Sequence, residues 1–116
     1  MAHTHVYKIL SAADWSAASE SGFSATALDE GDGYVHLSTS DQVGETLALH
    51  YKQSESVRLL EYLTADLKSM GEIRWEPSRG GQLFPHLYGR LKISVAKRVW
   101  VLNLDSDNVP ILPDDL

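Results

Sequence analysis

Residues 75–89 bring together side chains suited to binding a ligand or moving a proton. Arg79, followed by two glycines, offers a guanidinium fork and nearby backbone N–H groups to a phosphate or a carboxylate. His86 follows a proline, whose restricted backbone gives the imidazole a defined direction, and imidazole exchanges protons near neutral pH. Glu76 follows a tryptophan, where a carboxylate can have a raised pKa or orient a sugar hydroxyl. The candidate catalytic residues of this segment are Glu76 and His86, and its candidate ligand contacts are Trp75, Ser78, Arg79 and Tyr88.

A second group of polar side chains alternates along residues 34–38. In a strand, Tyr34, His36 and Ser38 share one face, which then carries a phenol, an imidazole and a hydroxyl. Val35 and Leu37 occupy the other face and are expected to join the core. We therefore predict that His36 is a third catalytic candidate and that Tyr34 and Ser38 contact the ligand.

Each of these residues also has a structural interpretation. Arg79 fits a solvated turn, and a histidine such as His86 is often buried with a hydrogen bond to a backbone carbonyl. Glu76 fits an ion pair with a neighbouring arginine, and Ser38 fits the cap of a following helix. A single binding site requires that His36, Arg79 and His86 converge on one cleft.

Other reaction classes lack their sequence signatures. His36, His86 and Glu76 have the ligand types of a two-histidine, one-carboxylate metal site, but their spacing matches no local metal motif, so no metal is predicted. The chain contains no nucleophile elbow, phosphate-binding loop or dinucleotide fingerprint. The acidic run with Asp29, Glu30 and Asp32 is predicted to be a solvated turn.

The elements that must position these side chains can be read from apolar periodicity and capping residues. Strands are predicted over residues 5–10, 34–38, 57–63, 72–76 and 97–104, with an irregular loop over 77–85. Helices are predicted to begin at Ser11, ending near Gly22, and at Thr39 or Ser40, with a short helical turn over 64–67. This order, with helices early and strands late, predicts an α+β fold with small mixed or antiparallel sheets and two main helices.

Composition limits the partners and the location. The 116 residues fit one domain, with a core over about 5–104 and a peripheral tail over 105–116. The absence of cysteine excludes disulfides. The net charge of −6 disfavours non-specific nucleic-acid binding but allows a small anionic ligand. No secretion signal and no apolar run of about 20 residues are present, so the expected location is the cytoplasm without a membrane span.

Residues 32–38 (DGYVHLS), 75–81 (WEPSRGG) and 83–89 (LFPHLYG) together resemble a bacterial domain-of-unknown-function family. The likeness extends over about residues 6–113 and includes Trp15. It implies an α+β fold grouped with the ADP-ribosyltransferase superfamily, which includes RNA 2'-phosphotransferases. Members of that superfamily bind NAD or ADP-ribose in a cleft between two small antiparallel sheets. The chain departs from their pattern in its first strand, and Glu76 is only a loose substitute for their Glu-x-Glu.

Three functions remain open at this point. The first is an enzyme or binding domain for a nucleotide-like or ADP-ribosyl ligand, with Arg79 on a phosphate, His36 and His86 moving protons, and Tyr88 or Trp75 stacking on a ring. A transferase of ADP-ribosyl or phosphoryl groups would fit it, and NAD as a cofactor follows from the resemblance alone. The second is a non-catalytic module for a small anionic metabolite or a protein partner. The third is a purely structural role for the three motifs.

Overall fold

Two three-stranded antiparallel sheets and a two-stranded ribbon organise residues 4–116, which the computed structural model describes, with Arg79 described through its backbone alone. The strands are β1 His5–Leu10, β2 Phe23–Ser24, β3 Val35–His36, β4 Val57–Leu63, β5 Gly71–Pro77, β6 Leu83–Gly89, β7 Leu91–Lys92 and β8 Arg98–Leu102. The central sheet has the order β1-β4-β8, the second sheet β3-β6-β5, and the ribbon pairs β2 with β7. The helices are α1 Ala12–Ser21, α2 Ala27–Asp32, α3 Ser40–His50 and α4 Thr64–Leu67. The predicted α+β class is confirmed.

The central sheet is covered on both faces because alternate residues of β1 point to opposite sides. One side packs against the second sheet and α1, in a cluster that includes Val6, Leu10, Ala18, Val35, Leu60, Tyr62 and Leu87. The other side packs against α3, in a cluster that includes Tyr7, Ile9, Val43, Leu47, Val57, Leu59 and Leu102. Lys8 lies in the middle of this doubly covered strand and is only 4% exposed.

Both longer helices begin where their capping residues predict, and α1 also ends where Gly22 predicts. The Ser11 hydroxyl accepts a hydrogen bond from the Asp14 N–H at the start of α1, and Gly22 ends that helix in the left-handed conformation with φ 85°. Thr39 and Gln42 form a reciprocal capping box at the start of α3. Each of these caps depends on residues within one helical turn, so it can be predicted from the local sequence.

The acidic segment predicted to be a solvated turn is instead the short helix α2. Thr26 caps it by accepting a hydrogen bond from the Asp29 N–H, and Gly33 ends it with φ 83°. Asp29 faces inward and is 5% exposed, whereas Glu30 and Asp32 stay at the surface. The prediction was wrong for Asp29 because its charge is balanced inside the fold by a residue distant in sequence.

The predicted loop over residues 77–85 is a hairpin. β5 and β6 pair in register from Gly71↔Gly89 to Pro77↔Leu83, and a 3-10 turn at Arg79–Gly81 joins them. Gly80 and Gly81 adopt φ values of 68° and 80°, which favour glycine and allow the reversal. The glycines and prolines pointed to irregular backbone, but the β6 side chains bury enough apolar surface to form a strand.

The two larger sheets meet at Ser38. Leu37 donates its N–H to the carbonyl of Pro85, and the next residue, Ser38, exchanges two backbone hydrogen bonds with Tyr7 of β1. Pro85 has no N–H to return to its neighbour. The β3–β6 ladder therefore ends here, and the chain transfers from the second sheet to the central sheet.

Residues 105–116, predicted to be a peripheral tail, return to the central sheet. Leu112 and Leu116 pack against the cluster on the α3 side, and Leu104 forms a bridge with Pro110. Asp115 pairs with Arg98 at 2.5 Å. None of the helices in residues 4–116 is both long enough and apolar enough to cross a bilayer.

We expect Gly89→Ala to lower the free energy of unfolding by about 1–3 kcal/mol, because the new Cβ would collide with the backbone carbonyl of Met70 at the open end of the β5–β6 hairpin. Gly31→Ala is the matched control: its Cβ meets open space within α2, so we expect a gain of about 0.5–1 kcal/mol. Urea unfolding of both variants measures the difference. Equal stabilities would contradict the tight approach at Gly89.

Candidate functional site

The two histidines of the predicted site lie directly opposite each other in the second sheet. His36 on β3 pairs with His86 on β6, and their ring centroids are 5.2 Å apart in an edge-on arrangement. Same-face neighbours on paired strands are held at contact distance by the ladder itself. The strand pairing therefore brings together two motifs that are far apart in sequence.

Asp29 holds the imidazole of His36 from the buried side. Its Oδ1 lies 2.6 Å from Nδ1 of His36 and also accepts the His36 backbone N–H at 3.1 Å. On the outer side, Oδ2 of Asp32 lies 3.0 Å from Nε2 of the same ring. An imidazole can offer an N–H to both carboxylates only when both of its nitrogens are protonated. The geometry thus offers both nitrogens of the His36 ring a carboxylate acceptor.

Lys8 completes this arrangement from β1. Its Nζ lies 2.7 Å from Oδ2 of Asp29 and donates to the backbone carbonyl of His36 at 3.1 Å. Burial lowers the pKa of the Lys8 ammonium, and the neighbouring Asp29 opposes that shift. Burial alone would raise the pKa of Asp29, but hydrogen bonds from His36 and Lys8 outweigh it, and the pKa lies below its usual value. The backbone and ring of His36 are both tied to one buried ion pair.

His86 is oriented by a carboxylate of its own. Oε1 of Glu76 lies 2.8 Å from Nδ1 of His86 and accepts the Tyr88 hydroxyl at 2.7 Å. The hydrogen bond from Tyr88, together with that from His86, lowers the pKa of Glu76, contrary to the raised pKa that the neighbouring tryptophan suggested. Because this carboxylate only accepts, Nδ1 of His86 carries a proton, and in the neutral ring the lone pair is on Nε2.

Aromatic rings cover the two histidines. Tyr34 stacks on His86 with centroids 4.3 Å apart and lies 4.7 Å from the His36 ring. Tyr88 is 5.1 Å from Tyr34, and the guanidinium of Arg74 lies 4.4 Å above its ring. Tyr34 and Tyr88 therefore pack against protein groups rather than presenting two open ring faces to a ligand.

A cavity of about 630 Å³ opens beside the histidines. It lies between α2, the end of β3, the C-terminal part of α3 and the β5–β6 turn. Its polar lining residues are Lys8, Asp14, Thr26, Asp29, Asp32, His36, Ser38, Thr46, His50, Tyr51, Ser78 and His86. Both predicted serines, Ser38 and Ser78, thus lie on the wall of the same cavity as His36 and His86.

Trp75, a predicted ligand contact, does not line the cavity. Trp75 pairs with Pro85, and strand alternation places its ring on the face opposite Glu76, where it is 37% exposed. The side chain of Arg79 lies outside the described residues; its backbone belongs to the turn directly after Ser78. In the described part of the chain, no His, Asp and Glu side chains form a group that could hold a metal ion.

Lys8 and Asp29 were missed as site residues. The one local signal was the order Thr26-x-x-Asp29, which has the spacing of a helix cap followed by an acid at the third helical position. It would have predicted α2 in place of a turn. It could not have predicted the burial of Asp29, which depends on Lys8 in a strand formed by other residues.

The family model described as a protein of unknown function, DUF952, matches residues 9–108. The chain belongs to this family. The crystal structure of protein CC0527 from Caulobacter crescentus is 42% identical over 97% of both chains, with a TM-score of 0.87. The solution NMR structure of the same protein gives a TM-score of 0.82, covering 98% of this chain and 97% of the other. Comparison with curated proteins gave no match.

The predicted likeness to a domain-of-unknown-function family is thus confirmed as DUF952. Its grouping with the ADP-ribosyltransferase superfamily remains a prediction. The solved relatives establish the α+β fold over nearly the whole chain.

We expect Asp29→Asn to lower the free energy of unfolding of this DUF952 chain by about 3–5 kcal/mol, because it leaves the buried Lys8 ammonium without a counter-charge. Glu30→Gln removes the same charge from the exposed side of α2 and should change stability by less than about 0.5 kcal/mol. Urea unfolding at pH 7 measures both. A loss at Asp29 no larger than at Glu30 would show that the ion pair contributes nothing.

The same pair has an expected pH dependence. The pKa of Asp29 is lower in the folded state than in the unfolded chain, so its ionised form stabilises the fold above about pH 4. That contribution is lost as the pH falls through the folded-state pKa. We expect unfolding free energy to fall more steeply between about pH 5 and 2 for the wild type than for Asp29→Asn. Parallel profiles would contradict a lowered pKa for Asp29.

Proposed function

We propose that the cavity binds a phosphate-bearing, nucleotide-like ligand, with His36 as the cationic group that contacts the phosphate and His86 as the proton acceptor. The observation that supports it is the apposition of the two imidazoles, each oriented through Nδ1 by its own carboxylate, on the wall of one cavity. General acid–base catalysis needs groups held within hydrogen-bond reach of the reacting atoms and in defined protonation states.

The carboxylates assign different roles to the two rings. His36 lies between two acids and is proposed to act as the imidazolium, which can bind an oxyanion or donate a proton. His86 has its proton on the side of Glu76, so its Nε2 can accept one. A donor and an acceptor of protons side by side are what the transfer of a phosphoryl or ADP-ribosyl group would use.

The dimensions of the cavity suit this ligand class. Its volume of about 630 Å³ lies within the range of roughly 300–1,000 Å³ that is common for small-molecule sites. The hydroxyls of Ser38 and Ser78 can bond phosphate or ribose oxygens. Arg79, adjacent to Ser78 in the glycine-rich turn, is proposed as a further phosphate contact, in keeping with the prediction from sequence.

Isothermal titration calorimetry with AMP, ADP-ribose and NAD tests the binding. We expect saturable binding of at least one ligand by the wild type and about tenfold or greater weakening in His36→Asn, because a charge-assisted hydrogen bond contributes about 1.5–3 kcal/mol. His86→Asn removes the proposed proton acceptor and should reduce product formation rather than affinity. His5→Asn is the matched control, since His5 contacts Thr4 and lies outside the cavity. Its affinity should stay within about twofold of the wild type.

Absence of binding across the panel, or unchanged affinity in His36→Asn, would refute the proposal. Circular dichroism melting of each variant separates loss of binding from loss of fold. Mass spectrometry of the reaction mixture shows whether a product forms and which group is transferred. Saturable binding without product would favour the alternative function, a non-catalytic module for an anionic metabolite.

A further inference from the structure

We infer that the Asp32 carboxylate occupies the position of a ligand phosphate oxygen at Nε2 of His36 and leaves that position when the ligand binds. The inference rests on the proposed function and names its phosphate subsite. Asp32 lies 3.0 Å from this nitrogen, on the side of the ring that faces away from Asp29. Both His36 and Asp32 line the cavity.

Exposure distinguishes the two acids that contact His36. The side chain of Asp29 is 5% exposed and is held by Lys8 and by the backbone and ring of His36. The side chain of Asp32 is 43% exposed, and His36 is its one ion-pair partner among the described residues. Exposed pairs contribute little because water competes for both charges. Asp32 is therefore the acid that another anion can replace.

The position of Asp32 in the chain allows the movement. It is the last residue of the six-residue helix α2, and Gly33 follows in the left-handed conformation with φ 83°. End residues of short helices have few backbone hydrogen bonds to lose. Asp32 can rotate towards solvent without disturbing Asp29, which lies one turn earlier and faces the interior.

The charge balance of the cavity makes the exchange selective. Its formally charged described residues, histidines aside, are Lys8, Asp14, Asp29 and Asp32, and Lys8 with Asp29 already forms a neutral pair. A phosphate would meet repulsion from Asp32 if that carboxylate stayed on His36. A neutral hydroxyl ligand cannot compete with a carboxylate for an imidazolium, whereas a phosphate can. Asp32 thus competes with the phosphate group of a ligand for His36 and does not compete with ligands that lack an anionic group.

Titration calorimetry tests the inference. The ligands are inorganic phosphate, AMP and adenosine, and the proteins are the wild type, Asp32→Asn and Glu30→Gln. Removal of the competing carboxylate should tighten phosphate and AMP about two- to fivefold, the range set by an exposed ion pair, and should leave adenosine unchanged. Glu30→Gln removes one negative charge from the same helix without touching His36, so it should produce less than half of that gain. In the background of His36→Asn, the gain from Asp32→Asn should vanish.

The outcomes separate the two proposals. If the wild type and Asp32→Asn both fail to bind phosphate and AMP, the proposed function and this inference fall together. If AMP binds and the binding requires His36, but Asp32→Asn binds no tighter than Glu30→Gln, the inference alone is overturned. An equal gain for adenosine would also overturn it, because no oxyanion then replaces Asp32.

Discussion

A lysine with 4% exposure needs a counter-charge, and much of this structure follows from how Lys8 obtains one. Asp29 reaches it from the interior face of α2, so a helix and a strand from different parts of the chain are fastened together. Both partners also bind the backbone of His36. A buried pair of this kind is costly to desolvate, and replacement by apolar residues often stabilises a protein. Beside the cavity, this pair holds the backbone and ring of His36, which apolar residues could not do.

The second constraint is the β3–β6 ladder, which fixes the distance between the histidines. His36 and His86 are register partners, so their backbones cannot separate without breaking backbone hydrogen bonds. Glu76 arrives on the outer strand of the same sheet and orients His86, as Asp29 orients His36. Tyr34 covers both rings. Electrostatic contacts gain strength where aromatic groups exclude water, so the packing and the charge arrangement reinforce each other.

Most of the local structure could be predicted, and the two main errors share a cause. The caps at Ser11 and Thr39 and the end of α1 at Gly22 depend on near neighbours and were predictable. Helix α2 was missed because its acids suggested solvent, although one of them is buried. Strand β6 was missed because its glycine and proline neighbours suggested a loop, although residues from β3 and β5 pair with it on both sides. In both cases tertiary partners outweighed the local preference.

By itself, the sequence determined the α+β class and the residue types available for chemistry, because periodicity and capping act over a few residues. It also predicted a strand over residues 34–38, of which the structure forms β3 over Val35–His36. Only the tertiary structure decided that His36 meets His86, and that Asp29 is buried against Lys8. Strand register and the burial of charge depend on contacts between residues far apart in the chain, and no local pattern encodes which distant partner will neutralise a given acid.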